Sequence, residues 1–213
     1  MVQVLLDDYS AVVVAVDLVN SAPEVAISTG DLLPDVRALQ RFLDEHRIAL
    51  DALDDGRRPT AADLAAVHGL RRDLRELIDS TDVVEAVARA GRLVAAAATG
   101  PALERDAEGH WRWQVRSRAG ADVADELAVL LGTGLLSAIR ILGHDRFRQC
   151  AAPDCNGAFV DISRSGRRRY CVPEVCGNRV NVANHRARRR AAEPPVDPTP
   201  SPDAVGSRPA GGH

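Results

Sequence analysis

All four cysteines of the 213-residue chain fall within 27 positions, as Cys150-x4-Cys155 and Cys171-x4-Cys176 with fifteen residues between the pairs. Two close pairs of soft donors joined by a short loop can surround one zinc ion tetrahedrally without any long-range folding. The competing reading, a pair of disulfides, is disfavoured in a cytosol that keeps thiols reduced. Four thiolates close the coordination sphere and leave no position for a substrate water, so one structural zinc per chain is expected. Few large apolar side chains surround the cluster, namely Phe147, Phe159, Val160, Ile162 and Tyr170. Metal binding must therefore supply much of the folding free energy of this segment. His144 and His185 flank the cluster; with four cysteines present, a solvated or partner-facing role suits them better than ligation.

The charge is divided along the chain. Residues 1–143 hold 15 Arg against 23 acidic residues, whereas residues 144–190 hold 11 Arg against four, a local net of +7 within a chain whose net charge is −3. A concentrated basic module beside an acidic one points to a polyanion as partner. All the basic residues are Arg, with no Lys, which fits a GC-rich coding bias as well as any selected chemistry. Met1 to Ser10 carry no basic leader and no apolar run approaches the roughly 20 residues of a membrane helix, so the expectation is a folded cytoplasmic protein without a membrane span.

Hydrophobic spacing predicts a mainly α chain with one small β-hairpin, an α+β fold: a helical domain over 1–143, a zinc finger over 144–191, and a disordered tail over 192–213. Val12 to Val19 reads as a buried helix, and Val36, Leu39, Phe42 and Leu43 place another over 34–46. Thr60 with Asp63 forms a capping-box start for a helix whose apolar face is Leu64, Val67, Leu70, Leu74, Leu77 and Ile78. Thr81 and Asp82 open the next helix, which Gly100 and Pro101 should end. Trp111, Trp113 and Val115 alternate with polar residues beyond a turn at Glu108 and Gly109, which marks a hairpin with the tryptophans as core anchors. A helix returns over 122–142, weakened at Gly132 and Gly134. The tail, rich in Pro, Gly and Ser, has almost nothing to bury.

Within the cysteine module, residues 159–170 suggest a hairpin carrying the run Arg167, Arg168 and Arg169 near its turn, with the second cysteine pair at the start of a helix in a treble-clef-like arrangement. On that helix Val180, Ala183, Ala187 and Ala191 form a small-residue stripe to pack on the zinc core. Arg179, Arg186 and Arg190 line the opposite side, flanked by Asn178, His185 and Arg189. Arg and Asn are the side chains that neutralise phosphates and read guanine and adenine edges, so these residues are the nucleic-acid candidates, with DNA preferred to RNA. The other readings are docking onto the acidic domain and a merely solvated face.

The stretch Cys150-Ala-Ala-Pro-Asp-Cys155, then Phe159 to Arg164, Arg168-Arg-Tyr-Cys171 and Cys176-Gly177-Asn178-Arg179 resembles the CGNR zinc finger family. VAVDLVNS at 14–21, DLLPDVRALQRFLDEH at 31–46 and LRRDLRELID at 70–79 are similar to the ABATE domain that precedes this finger in that family. The resemblance implies a stress-induced transcriptional regulator. The sequence departs from the family pattern at Tyr170, where Trp is common, and at Asn156-Gly-Ala, where a bulkier residue is usual; neither position is a ligand.

Residues 1–143 show no catalytic constellation: phosphate loops, HExxH and GxSxG are absent, and the histidines are only His46, His68 and His110. The expectation is therefore not an enzyme. Asp17 and Asn20 sit inside an apolar segment and are the candidate contacts for a small-molecule effector, with capping or packing as the other account. Two classes remain: a DNA-binding regulator whose helical domain senses an effector or forms a homodimer, and a zinc-stabilised protein-interaction or RNA-binding module.

Overall fold

Side-chain caps set most helix starts. In the computed structural model, which describes residues 3–25 and 30–192 (backbone only at Ala187 and 190–192), α1 spans Ala11–Asn20 and α2 spans Val36–Glu45, the latter capped by Asp35 accepting the Ala38 N–H at 2.8 Å. The predicted capping box is present: Thr60 accepts from Asp63 N–H at 3.2 Å and Asp63 accepts from Thr60 N–H at 2.8 Å, starting α3 (Ala61–Asp79). Asp82 accepts from the Val84 N–H and Asp122 from the Asp125 N–H, each at 2.8 Å, and so cap α4 (Val83–Ala97) and α5 (Val123–Leu142).

Helix α5 is the spine of the core. Val123, Leu127, Leu131, Leu135 and Ala138 are fully buried along it. The glycines that weaken it in isolation let its neighbours come close. A Cβ at Gly132 would stand 2.8 Å from Val94 Cγ2 of α4, and one at Gly134 would stand 2.8 Å from Ala11 Cβ of α1. Glu126, also buried on α5, accepts from the Ala52 N–H and the Ser117 hydroxyl, which joins the 3-10 turn Asp51–Gly56 and the sheet to the spine.

The sheet departs from expectation in three ways. Helix α4 ends at Ala97, and Gly100 and Pro101 lie inside strand β2 (Ala98–Arg105), with a pairing irregularity between Ala98 and Pro101 where proline lacks a donor. A third strand, β1 (Gln3–Leu5), too short to announce itself, pairs with β3 (Trp111–Ser117), giving the antiparallel order β1-β3-β2. Trp111 and Trp113 are not core anchors. The hairpin tip runs beyond the core and leaves them 59% and 55% exposed, on one face with Leu103 by their register.

After Gly143, strands β4 (Phe147–Gln149) and β5 (Ala158–Val160) form the second sheet, and α6 runs from Asn178 to Ala192. The hairpin expected over 159–170 is instead this pair, which encloses the first cysteine pair in its connecting loop. Residues 161–170 take no regular structure. The reason is Asp161, fully buried, whose carboxylate accepts from Ser163 N–H, Ser163 Oγ and Arg168 N–H and so folds the loop around itself.

The chain divides in sequence at Gly143, but its core does not. Ala158, Phe159 and Val160 are buried in the same cluster as α1 and α3. Asn20, proposed above as an effector contact, is committed elsewhere: its amide donates to Ala158 O at 2.8 Å and accepts from Ala158 N–H at 2.9 Å. Arg75 donates to Asn156 O, and Asn156 donates to Glu24 O. His68 bonds the Leu33 carbonyl at 3.0 Å, a structural role. The segment read as a disordered tail lies outside the described residues, apart from Ala192 at the end of α6.

Candidate metal centre and basic surface

The β4–β5 loop brings Cys150 and Cys155 to one side of a point, and a short turn, Pro173–Gly177, brings Cys176 to the other as it leads into α6. All four ligand atoms lie within 4.8 Å of one another. Cys155, Cys171 and Cys176 sulfurs form a triangle of 3.6, 3.7 and 3.7 Å. Zinc–sulfur bonds of about 2.3 Å in a tetrahedron require sulfur–sulfur edges of about 3.8 Å. The separations fit zinc and are far too long for a disulfide, which needs about 2.05 Å.

The shape of the pocket depends on Gly157. A Cβ there would stand 2.6 Å from Cys171 Sγ and 3.3 Å from Cys155 Sγ, so any side chain would enter the metal's space. Burial raises the Cys171 and Cys176 thiols, Cys171 strongly. Burial also opposes the Cys150 thiolate, but N–H groups of Ala152 and Cys171 outweigh it and lower that thiol. Four sulfurs in contact can shed their protons together only around a cation, which a divalent ion supplies. His144 and His185 are not in the cluster.

Of the CGNR tetrad, Cys176 is a ligand, a Cβ added at Gly177 would stand 3.4 Å from the Tyr170 ring, and Asn178 donates to Glu174 O at 2.6 Å. The basic candidates divide in two. Arg168 is turned inward, donating to the Tyr170 and Cys171 carbonyls and covering the Phe159 ring at 4.9 Å, so it braces the finger. Arg146 and Arg148, counted in the basic excess, likewise hold carbonyls of the 161–168 loop. Arg167, Arg169, Arg179, His185, Arg186 and Arg189 are exposed, and so are Arg164 and Arg188. Among the described residues none of these eight is in an ion pair with an acid of 1–143. The Arg190 side chain lies outside the described residues.

The small-residue stripe of α6 does not pack as expected. Among its described side chains Val180 is partly covered and Ala183 is exposed, while the side chains of Ala187 and Ala191 lie outside the described residues.

Between α1, α2 and the finger lies a cleft of about 910 Å³. Its walls are mostly apolar, its rim carries Arg41, Glu45, Asp154 and Arg179, and Cys155, Cys171 and Cys176 lie behind one wall. Asp17 and Asn20 both border it; the Asn20 amide is held by Ala158, whereas Asp17 has His46 Nε2 at 3.7 Å. Burial raises the Asp17 carboxyl above its ordinary value, opposed by His46 and Arg168. The sequence signalled neither the cleft nor Gly157 and Asp161, since each depends on what tertiary packing brings opposite it.

A zinc finger built from a hairpin knuckle, Cys171 and a cysteine in the turn before a helix, joined to a helical domain, is the class these features define. Two family models match the chain: the CGNR zinc finger over residues 146–189, and ABATE, described as "Putative stress-induced transcription regulator", over residues 13–142. The second covers more than half of the chain, which therefore belongs to the ABATE family and carries its CGNR finger. No curated protein matches the sequence.

Proposed function

We propose that this protein is a cytoplasmic, non-enzymatic DNA-binding transcriptional regulator in which the finger contacts the duplex and the helical domain senses an effector or pairs subunits. The observation that carries this reading is the free-standing α6, 15 residues and so about 22 Å long. A major groove admits a helix of this kind, and Arg186 and Arg189 on it are exposed and unpaired among the described residues. Arg164, Arg167 and Arg169 on the neighbouring loop add cations for the phosphates. Docking of the basic face onto the acidic domain loses its support, because the finger docks through β5 and Asn156 instead.

A duplex-binding titration over a range of salt concentrations tests this. Arg186→Glu should weaken binding and flatten the slope of log K against log salt by about one unit or more, with zinc retained. Unchanged affinity for DNA and RNA at low salt would remove the reading. The exposed face of Leu103, Trp111 and Trp113 favours the protein-interaction alternative. If Trp113→Ser abolished self-association or partner capture while Arg186→Glu left DNA binding intact, that alternative would replace the first.

A further inference from the structure

We infer that the cleft between α1, α2 and the finger is a binding site for a hydrophobic organic cation whose charge pairs with Asp17. The inference deepens the sensing half of the function proposed above and is independent of DNA contact. Size comes first: about 910 Å³ is at the upper end of the range for small-molecule sites. The walls are apolar, and several of them are left open to solvent. Val13 is 43% exposed, Ile162 43%, Val172 44% and Val175 53%, drawn from both the helical domain and the finger. Apolar side chains from two parts of a chain facing one gap form a surface that an apolar molecule would cover.

The charge of the guest follows from Asp17. It projects from α1 among Val12, Val13 and Val16, and among the described residues no donor hydrogen-bonds its carboxylate. Its nearest partner is His46 Nε2 at 3.7 Å, and that ring is tilted against Phe42 with centroids 4.5 Å apart. The Asp17 side chain is 49% exposed, so a cationic nitrogen or phosphonium centre would take the place of water beside it. The rim arginines do not reverse this. Arg168 donates to the Tyr170 and Cys171 carbonyls and to no Asp17 oxygen, and acts on that carboxylate only through its field. Among the lining side chains Arg41, Arg168 and Arg179 are balanced in number by Asp17, Glu45 and Asp154, so the wall is neutral before metal binds. When zinc is bound, four thiolates around a divalent ion carry a net charge of −2, and three of those sulfurs border the cleft. The site is therefore built for a greasy cation rather than an organic acid.

Calorimetric titration of the zinc-loaded full chain, without DNA, tests this with two ions of the same shape and opposite charge, tetraphenylphosphonium and tetraphenylborate. Tetraphenylphosphonium should bind about tenfold or more tightly than tetraphenylborate, and Asp17→Asn should weaken it about tenfold. Val13→Trp, which fills the cleft without changing its charge, should abolish binding, whereas Asp55→Asn, removing the same charge from a distant loop, should leave it unchanged. Zinc content and melting temperature establish that each variant is folded. Equal or tighter binding of tetraphenylborate, an unchanged Kd in Asp17→Asn or Val13→Trp, or no binding of either ion overturns the inference. None of these outcomes bears on the salt dependence of DNA binding.

Discussion

Replacing Asn20 by alanine removes both hydrogen bonds that clamp the Ala158 peptide to α1, at 2.8 and 2.9 Å. Ala158 is fully buried, so its N–H and C=O would lose their partners where little water can replace them. A neutral hydrogen bond contributes about 1 kcal/mol net, and a buried group left unsatisfied costs about 1–3 kcal/mol. Two such groups, with partial relaxation at the finger's edge, give an expected loss of about 3 kcal/mol. Urea unfolding of the zinc-loaded protein should show a lower midpoint with an unchanged m-value. The zinc stoichiometry should remain at one per chain, because Asn20 touches no cysteine. Asn20→Asp should be at least as damaging, since it loses the donor to Ala158 O and places a carboxylate beside that carbonyl. A loss below about 0.5 kcal/mol would mean that the finger is held by Phe159 and its neighbours alone, and that the clamp is incidental.

Gly157→Ala should lower zinc affinity by about tenfold to a hundredfold in chelator competition, because its Cβ would sit 2.6 Å from Cys171 Sγ where the site tolerates only a few tenths of an ångström. An unchanged affinity would show that the loop can move aside. Asp31→Asn should cost about 3 kcal/mol at neutral pH, since Asp31 and the buried Arg71 form a bidentate pair at 2.8 Å. The hydrogen bonds from Arg71 hold the Asp31 carboxyl below its ordinary value. The stability it contributes is therefore full above the unfolded-state value of about 4 and lost as pH falls through the folded value. The difference between parent and variant should be flat from pH 5 to 8 and shrink below pH 4; a difference that persists in acid would refute the ionic account. Full chelation of zinc should lower the urea midpoint of the whole chain in a single transition, and a helical domain that kept its midpoint while the finger lost amide protection would refute the shared core.

The sequence shows local chemistry more readily than distant contacts. The zinc ligands were legible because a cysteine cluster has few other uses, and the capped helices were legible because Thr60, Asp82 and Asp122 act on N–H groups two or three residues away. Strand β1 was not, since three residues have no period and gain their partner only from β3. The hairpin of the finger was misplaced because the apolar pair Phe159–Val160 fits a strand on either side, and the choice is made by burial against α1 and α3. Charge counting marked the basic module correctly but did not show that Arg146, Arg148 and Arg168 face inward, because a guanidinium that braces carbonyls looks the same in sequence as one that meets solvent. Asn20 was noticed for the right reason, a polar group among apolar ones, yet its partner is a peptide of the finger rather than an effector.

Phe159 is completely buried in the cluster that also holds α1 and α3, one strand away from the thiolates. A fragment consisting of the finger alone would expose that ring and the apolar edge of β5, and a fragment ending at Gly143 would expose the surface they cover. Neither half is then a self-sufficient unit, and ion binding stabilises the entire chain by RT ln(1 + [Zn]/Kd) rather than one appendage. Scarcity of the metal would thus be read as a fall in the amount of intact protein, cleared by proteolysis, instead of as a persistent helical domain with an unfolded finger.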